Sequence, residues 1–166
     1  MTDKLNPRGL AAGALDPARL ERERAEGLAR GRMALSLGSE LADLLWLVVP
    51  EARPLLAALL AREVDRALRY DRELLPLDFA EVADALYLEL LRPAMARLPE
   101  DADAVRRCLR VLGRLVTEAD GDWRWETIDS NIVRMLELYE FGPALAELDP
   151  GFTKLVADTR KRLGQD

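Results

Sequence analysis

The chain has 166 residues, 49% hydrophobic and 33% charged, with a net charge of −6, no histidine and a single cysteine, Cys108. That balance belongs to a globular chain large enough to bury one self-sufficient core, not to a disordered one. Without histidine the commonest catalytic base and transition-metal ligand are missing, and a lone cysteine cannot make a disulfide within one chain.

In chain order, residues 1–15 contain Pro7, Gly9 and Gly13 and read as a loose N-terminal arm. These glycines and Asp16 break up any apolar stretch of the kind a signal peptide needs. Asp16-Pro17 has the form of an N-cap followed by a proline in the first helical turn. Residues 18–35 follow as a peripheral helix with few large apolar side chains, interrupted by Gly27 and Gly31. Ser39 can cap a helix running to Val49, where Pro50 stops it. Its stretch Leu44-Leu45-Trp46-Leu47-Val48-Val49 is apolar all round, which makes it central or part of an interface, and it is far too short to span a bilayer.

The next helix, from about Glu51 to Tyr70, points Leu55, Leu56, Leu59, Leu60, Val64 and Leu68 inward. A polar break at Asp71-Arg72-Glu73 leads into Leu74-Leu75-Pro76. Asp78 and Glu81 have the spacing of a capping box in its Asp form, ahead of a helix burying Phe79, Val82, Ala83, Leu86, Leu90 and Leu91. Pro93 is expected to kink that helix or end it near Leu91. Pro99-Glu100-Asp101 opens a helix with Val105, Cys108, Leu109, Leu112, Leu115 and Val116 inward, closed by Ala119-Asp120-Gly121-Asp122. A helix from about Trp125 to Phe141 turns Ile128, Ile132, Leu136 and Tyr139 inward before Gly142-Pro143. A short helical turn, a loop at Asp149-Pro150-Gly151 and a last helix through Phe152, Leu155, Val156 and Leu163 complete the chain. The expectation is an all-α, single-domain bundle of six or seven helices over residues 16–166.

Carboxylates are the plentiful reactive groups. An all-carboxylate magnesium site needs acids from different helices converging on a substrate phosphate; Asp78, Glu81 and Asp84 are spaced to share one helix face, but that spacing equally describes a solvated face. Asp120-Gly121-Asp122 lacks the later ligands of a calcium loop, and Ser36, Ser39 and Ser130 have no histidine to activate them. Cys108 sits on an apolar stripe and reads as a core thiol. No catalytic residue, metal site or cofactor is expected.

Charge is the stronger signal. Nine acids and two arginines fall between Glu118 and Gly151, a local net charge of −7 that leaves +1 for the rest of the chain. Such a region repels phosphate backbones and attracts basic surfaces. Within it Asp120-Gly121-Asp122-Trp123-Arg124-Trp125-Glu126 sets two of the three tryptophans beside an arginine. Trp and Arg dominate binding hot spots. Trp125 is expected in the core and Trp123, in the turn, at the surface. The candidate contact residues are Asp120, Asp122, Trp123, Arg124, Glu126, Asp129, Glu137 and Glu140.

From about Pro50 onward the chain resembles an uncharacterised family of small bacterial all-helical domains, some of them similar to the immunity partners encoded beside toxins. The resemblance runs through the apolar helix after Val48-Val49-Pro50, the turn Glu73-Leu74-Leu75-Pro76, and Asp129-Ser130-Asn131-Ile132-Val133-Arg134-Met135-Leu136-Glu137. It covers roughly two-thirds of the chain and implies no catalytic residues. Together these features lead to the expectation of a cytoplasmic, non-enzymatic protein that neutralises a basic partner, a candidate toxin, without binding nucleic acid or membrane. The alternatives are a homo-oligomeric scaffold, for which the apolar Leu44–Val49 run and residues 18–35 are the candidate interfaces, and a small-ligand- or metal-binding bundle.

Overall fold

Where the chain is described, over residues 39–165 of the computed structural model, every regular element is helical. The expected loose arm, the Asp16-Pro17 cap and the 18–35 helix lie outside the described residues. Seven helices follow one another. We number them α1 (Glu40–Val48), α2 (Arg53–Arg69, entered through a 3-10 turn Pro50–Ala52), α3 (Phe79–Ala85, Leu86–Leu91 and Arg92–Ala96 in continuous succession) and α4 (Ala102–Ala119). Then come α5 (Trp123–Ile128, Asp129–Val133 and Arg134–Leu138), α6 (Gly142–Leu148) and α7 (Pro150–Leu163).

Short polar side chains start four of these helices by accepting an amide that has no partner inside the helix. Ser39 Oγ accepts from Ala42 N at 3.2 Å, Asp78 from Glu81 N at 3.0 Å, Asp122 from Arg124 N at 2.8 Å and Asp149 from Phe152 N at 2.9 Å. The loop expected at Asp149-Pro150-Gly151 is therefore one cap residue, and Pro150 and Gly151 already belong to the first turn of α7. At Asp78 half of the capping box forms: Glu81 reaches across to Arg66 of α2 at 3.3 Å.

Helix α4 is the axis of the bundle. It packs against α1, the end of α3, the start of α5, and α7, while α2 lies across α1 and α3, and α6 rests on α7. Leu41, Leu45, Trp46 and Val49 are buried, so the all-apolar run of α1 is core within a single copy, with Leu47 reaching solvent. Trp125 is fully buried as expected, and its indole N–H donates to Gln165 Oε1 at 2.8 Å, tying the end of α7 to the start of α5. Each buried leucine or tryptophan removes enough apolar surface from water to contribute about 1.5–3 kcal/mol.

Two helices carry a wide π turn. Pro93 has no amide, and its ring would strike the carbonyl four residues back in a regular helix. Instead of ending near Leu91, α3 widens over Leu86–Leu91, the Arg92 amide reaches back to Tyr87 O, and the helix runs on to Ala96. In α5 the wide turn is Asp129–Val133, with the Arg134 amide bonded to Asp129 O. The Ser130 hydroxyl donates to Glu126 O at 2.7 Å, serving a carbonyl in the turn before. A residue gained in the turn rotates everything after it. Asp129, four residues after buried Trp125, starts the turn on the inward face, Val133 at its end is buried too, and Tyr139, expected inside, is 44% exposed. Leu68 of α2 is likewise exposed, its place on the buried stripe taken by Ala67 and Glu63.

Candidate functional site

The chain leaves α4 through Asp120, which takes the left-handed conformation, and Gly121 at φ 83°. Leu163 of α7 lies so close that a Cβ on Gly121 would meet its Cδ2 at 2.7 Å. This tight exit lets Asp122 cap α5 at once and throws Trp123, the first helical residue, to the surface. Its side of the molecule is completed by the loop between α2 and α3.

Trp123 is 58% exposed, the most exposed of the tryptophans, and its ring meets that of Phe79 edge to face at 5.2 Å and 79°. The two rings, with Leu75, Pro76 and Leu77, form the apolar surface of an open groove of about 530 Å³. Glu40 at the start of α1, Asp78 at the start of α3, and Arg124 stand around it.

Both walls are held by ion pairs. On one side the Arg124 guanidinium bonds Asp122 at 2.8 Å, Glu40 at 2.8 Å and the carbonyl of Glu118 at 3.3 Å, joining the start of α5 to α1 and the end of α4. The Arg124 guanidinium holds the Asp122 carboxyl below its ordinary range. On the other side Glu63, 6% exposed in the apolar stripe of α2, accepts from Arg72 Nη1 at 2.6 Å and Nη2 at 3.0 Å, and from the Leu75 amide at 2.8 Å. Arg72 draws the Glu63 pKa down against the opposing effect of burial. The loop of residues 71–77 is thus strapped to α2 by one carboxylate, and Leu75 is held at the groove. Sequence reasoning passed over Glu63. Its signal is a carboxylate where the 3.6-residue period asks for an apolar residue, nine positions before an arginine.

The remaining candidate residues do not form one anionic face. Asp120 is paired with Arg162 at 2.8 Å. Asp129, expected to face a partner, is 4% exposed and bridges Arg134 at 2.7 Å and Arg160 at 2.6 Å, and Glu137 takes the same Arg160 at 2.9 Å. Glu118 is paired with Arg114, which lowers its pKa, and Asp149 is the cap of α7. Among the described residues Glu126, Glu140 and Glu147 are exposed without an ion pair. Three of the neutralising arginines lie outside the acidic stretch in sequence: Arg114 is one turn before Glu118 on α4, while Arg160 and Arg162 arrive only through the packing of α7. Asp120, Asp122, Trp123 and Arg124 stay together at the start of α5; Asp129 and Glu137 belong to a structural cluster farther along it.

The carboxylates considered for a metal are engaged separately: Asp78 as a cap, Glu81 with Arg66, and Asp84 accepting from Asn131 Nδ2 at 2.8 Å. Among the described residues no group of three or more potential ligands gathers to hold an ion. Burial pushes the Cys108 thiol up to about 12, so at neutral pH it is a protonated core residue. No described helix is long and apolar enough to cross a membrane. Comparison with protein-family models, curated proteins and solved structures yields no match to this chain.

Proposed function

We propose that this chain is a non-enzymatic protein-binding module that covers a basic partner, in the manner of an immunity protein neutralising a toxin, with its contact centred on Trp123. The observation that carries the reading is the exposed indole. A large aromatic ring costs free energy in water unless something covers it, and here it is anchored on Phe79 beside apolar Leu75 and Pro76 rather than folded away. Ion pairing confines the contact to the groove and its carboxylate rim, a smaller surface than the whole acidic stretch. Long-range attraction by that stretch is correspondingly reduced, and affinity rests on the aromatic anchor.

Placing a photo-crosslinking amino acid at Leu75, in cells that encode the chain and its neighbours, tests this. The expected result is an adduct with one protein bearing a basic surface, whose growth-inhibiting effect the chain relieves. Trp123→Ala should abolish the adduct and weaken measured binding by about 2 kcal/mol, as hot-spot truncation does. Adducts indifferent to Trp123→Ala, or none at all, overturn the reading.

A further inference from the structure

We propose that the groove at Trp123 receives a segment of the partner protein in which a large apolar side chain stands within two positions of a lysine or arginine. This rests on the protein-binding reading above and names the chemistry that the site accepts. The apolar requirement comes from the surface itself: Leu75, Pro76, Leu77, Phe79 and Trp123 offer few polar atoms to satisfy a buried hydrogen-bonding group. The open groove, of about 530 Å³, has room for a large apolar side chain.

The cationic requirement comes from the rim. Three carboxylates, Glu40, Asp78 and Asp122, stand at the groove or against it, facing one cation, Arg124. Arg124 is largely committed within the chain: its Nε and Nη2 are bonded to Asp122, Nη2 also to the Glu118 carbonyl, and its Nη1 to Glu40, so its charge is already offset by two carboxylates. Asp78 uses Oδ1 on the Glu81 amide and is an exposed residue. An incoming carboxylate or phosphate meets net repulsion, and an ammonium or guanidinium meets attraction. The exposed face of Trp123 adds to this preference, because an indole attracts a cation placed over it. Finally, the walls are fixed before binding by the Glu63–Arg72 and Arg124 clamps, so that little ordering is needed to form the contact.

Panning random peptides displayed on phage against the immobilised full-length chain tests the assignment, followed by binding titrations of enriched peptides in solution. Enriched sequences are expected to pair Leu, Met or an aromatic residue with a nearby Lys or Arg. Their affinity should fall about thirtyfold with Trp123→Ala and about thirtyfold with Leu75→Glu, a second exposed position that guards against a folding artefact. Asp78→Asn removes a charge while keeping a helix-capping side chain, and should cost a few-fold in affinity at low salt with the melting temperature unchanged. Enrichment of acidic or neutral peptides that still depend on Trp123 overturns the cationic assignment and leaves the protein-binding reading standing. Peptides indifferent to both Trp123→Ala and Leu75→Glu overturn the two together. An absence of enrichment, as when a second copy of the chain or residues 1–38 of the same chain occupy the groove, overturns the assignment of a separate partner. Concentration-dependent sedimentation abolished by Trp123→Ala would identify the second copy.

Discussion

Trp123 and Trp125, two positions apart on one helix, point about 200° apart, and one glycine sets which of them faces the core. Gly121 makes the turn between α4 and α5 with φ 83°, a conformation that side chains with a Cβ rarely adopt, and it does so within reach of Leu163. Moving the start of α5 by even part of a turn would rotate both indoles. Gly121→Ala is therefore expected to lower stability by about 1–2 kcal/mol, since the new methyl meets only the flexible end of Leu163 while the backbone keeps its strain. Chemical denaturation measures that loss. The same variant should shift the emission of the exposed tryptophan, because the start of α5 has to adjust. The division between a buried and an exposed tryptophan was legible in the sequence, which places Trp123 in the Gly-containing turn and Trp125 at the start of a helix, although the helix in fact begins at Trp123. The partner of the exposed ring was not: Phe79 lies more than forty residues earlier and reads simply as core.

At the scale of whole helices, apolar spacing located every rod that the structure describes, because a buried stripe recurs at 3.6 residues whatever it packs against. The caps at Ser39 and Asp78 were equally plain, being local chemistry. The wide turns were not, because a π turn changes the period itself. A reading at constant 3.6 residues carries Tyr139 inward, where α5 leaves it exposed; Asp129, four residues after Trp125, falls on the inward stripe at that same period, and only its charge suggested the surface. At Pro93 the sequence carries a visible cause, although not the remedy that the helix finds. In α5 the wide turn sets Arg134, five residues on, against Asp129, which also takes Arg160 of α7, so a carboxylate that looked like part of a docking face holds α7 onto α5. Asp129→Asn keeps the shape and one acceptor but leaves a guanidinium without its counter-charge. It should cost about 2 kcal/mol in stability, somewhat below the usual penalty for breaking a buried pair because Arg160 retains Glu137. Thermal unfolding is the measurement, and partner binding at the Trp123 groove should be unaffected in the folded variant.

For the molecule as a whole, a windowed charge count and the folded surface disagree because tertiary packing imports arginines. Arg160 and Arg162 of α7, with Arg114 one turn before Glu118 on α4, convert much of the −7 stretch into internal ion pairs, and the negative character that remains next to Trp123 comes partly from Glu40 and Asp78, far away in sequence. Those pairs link stability to pH in a definite direction. Glu63, Glu118 and Asp122 all have folded pKa values held down by their arginines, so in moderately acidic solution the unfolded chain binds more protons than the folded one. Their stabilising contribution is complete above the unfolded carboxylate values of about 4 and is lost as pH falls through the lower folded ones. Glu63 is the decisive member, because it is buried and also anchors the Leu75 amide, whereas Glu118 and Asp122 are screened by solvent. The expected profile is a nearly level melting temperature from pH 6 to 8 (about neutral, where none of these groups titrates) and a steep fall below about pH 4. Glu63→Gln should lower the unfolding free energy on the plateau by about 1–3 kcal/mol and make the acid limb shallower, since the amide takes up no proton on unfolding. The loop of residues 71–77 should then lose protection from amide exchange ahead of the core helices, because its strap is gone while α1 and α4 keep their packing. An acid limb of unchanged slope in Glu63→Gln would move the source of acid sensitivity away from the wall of the groove.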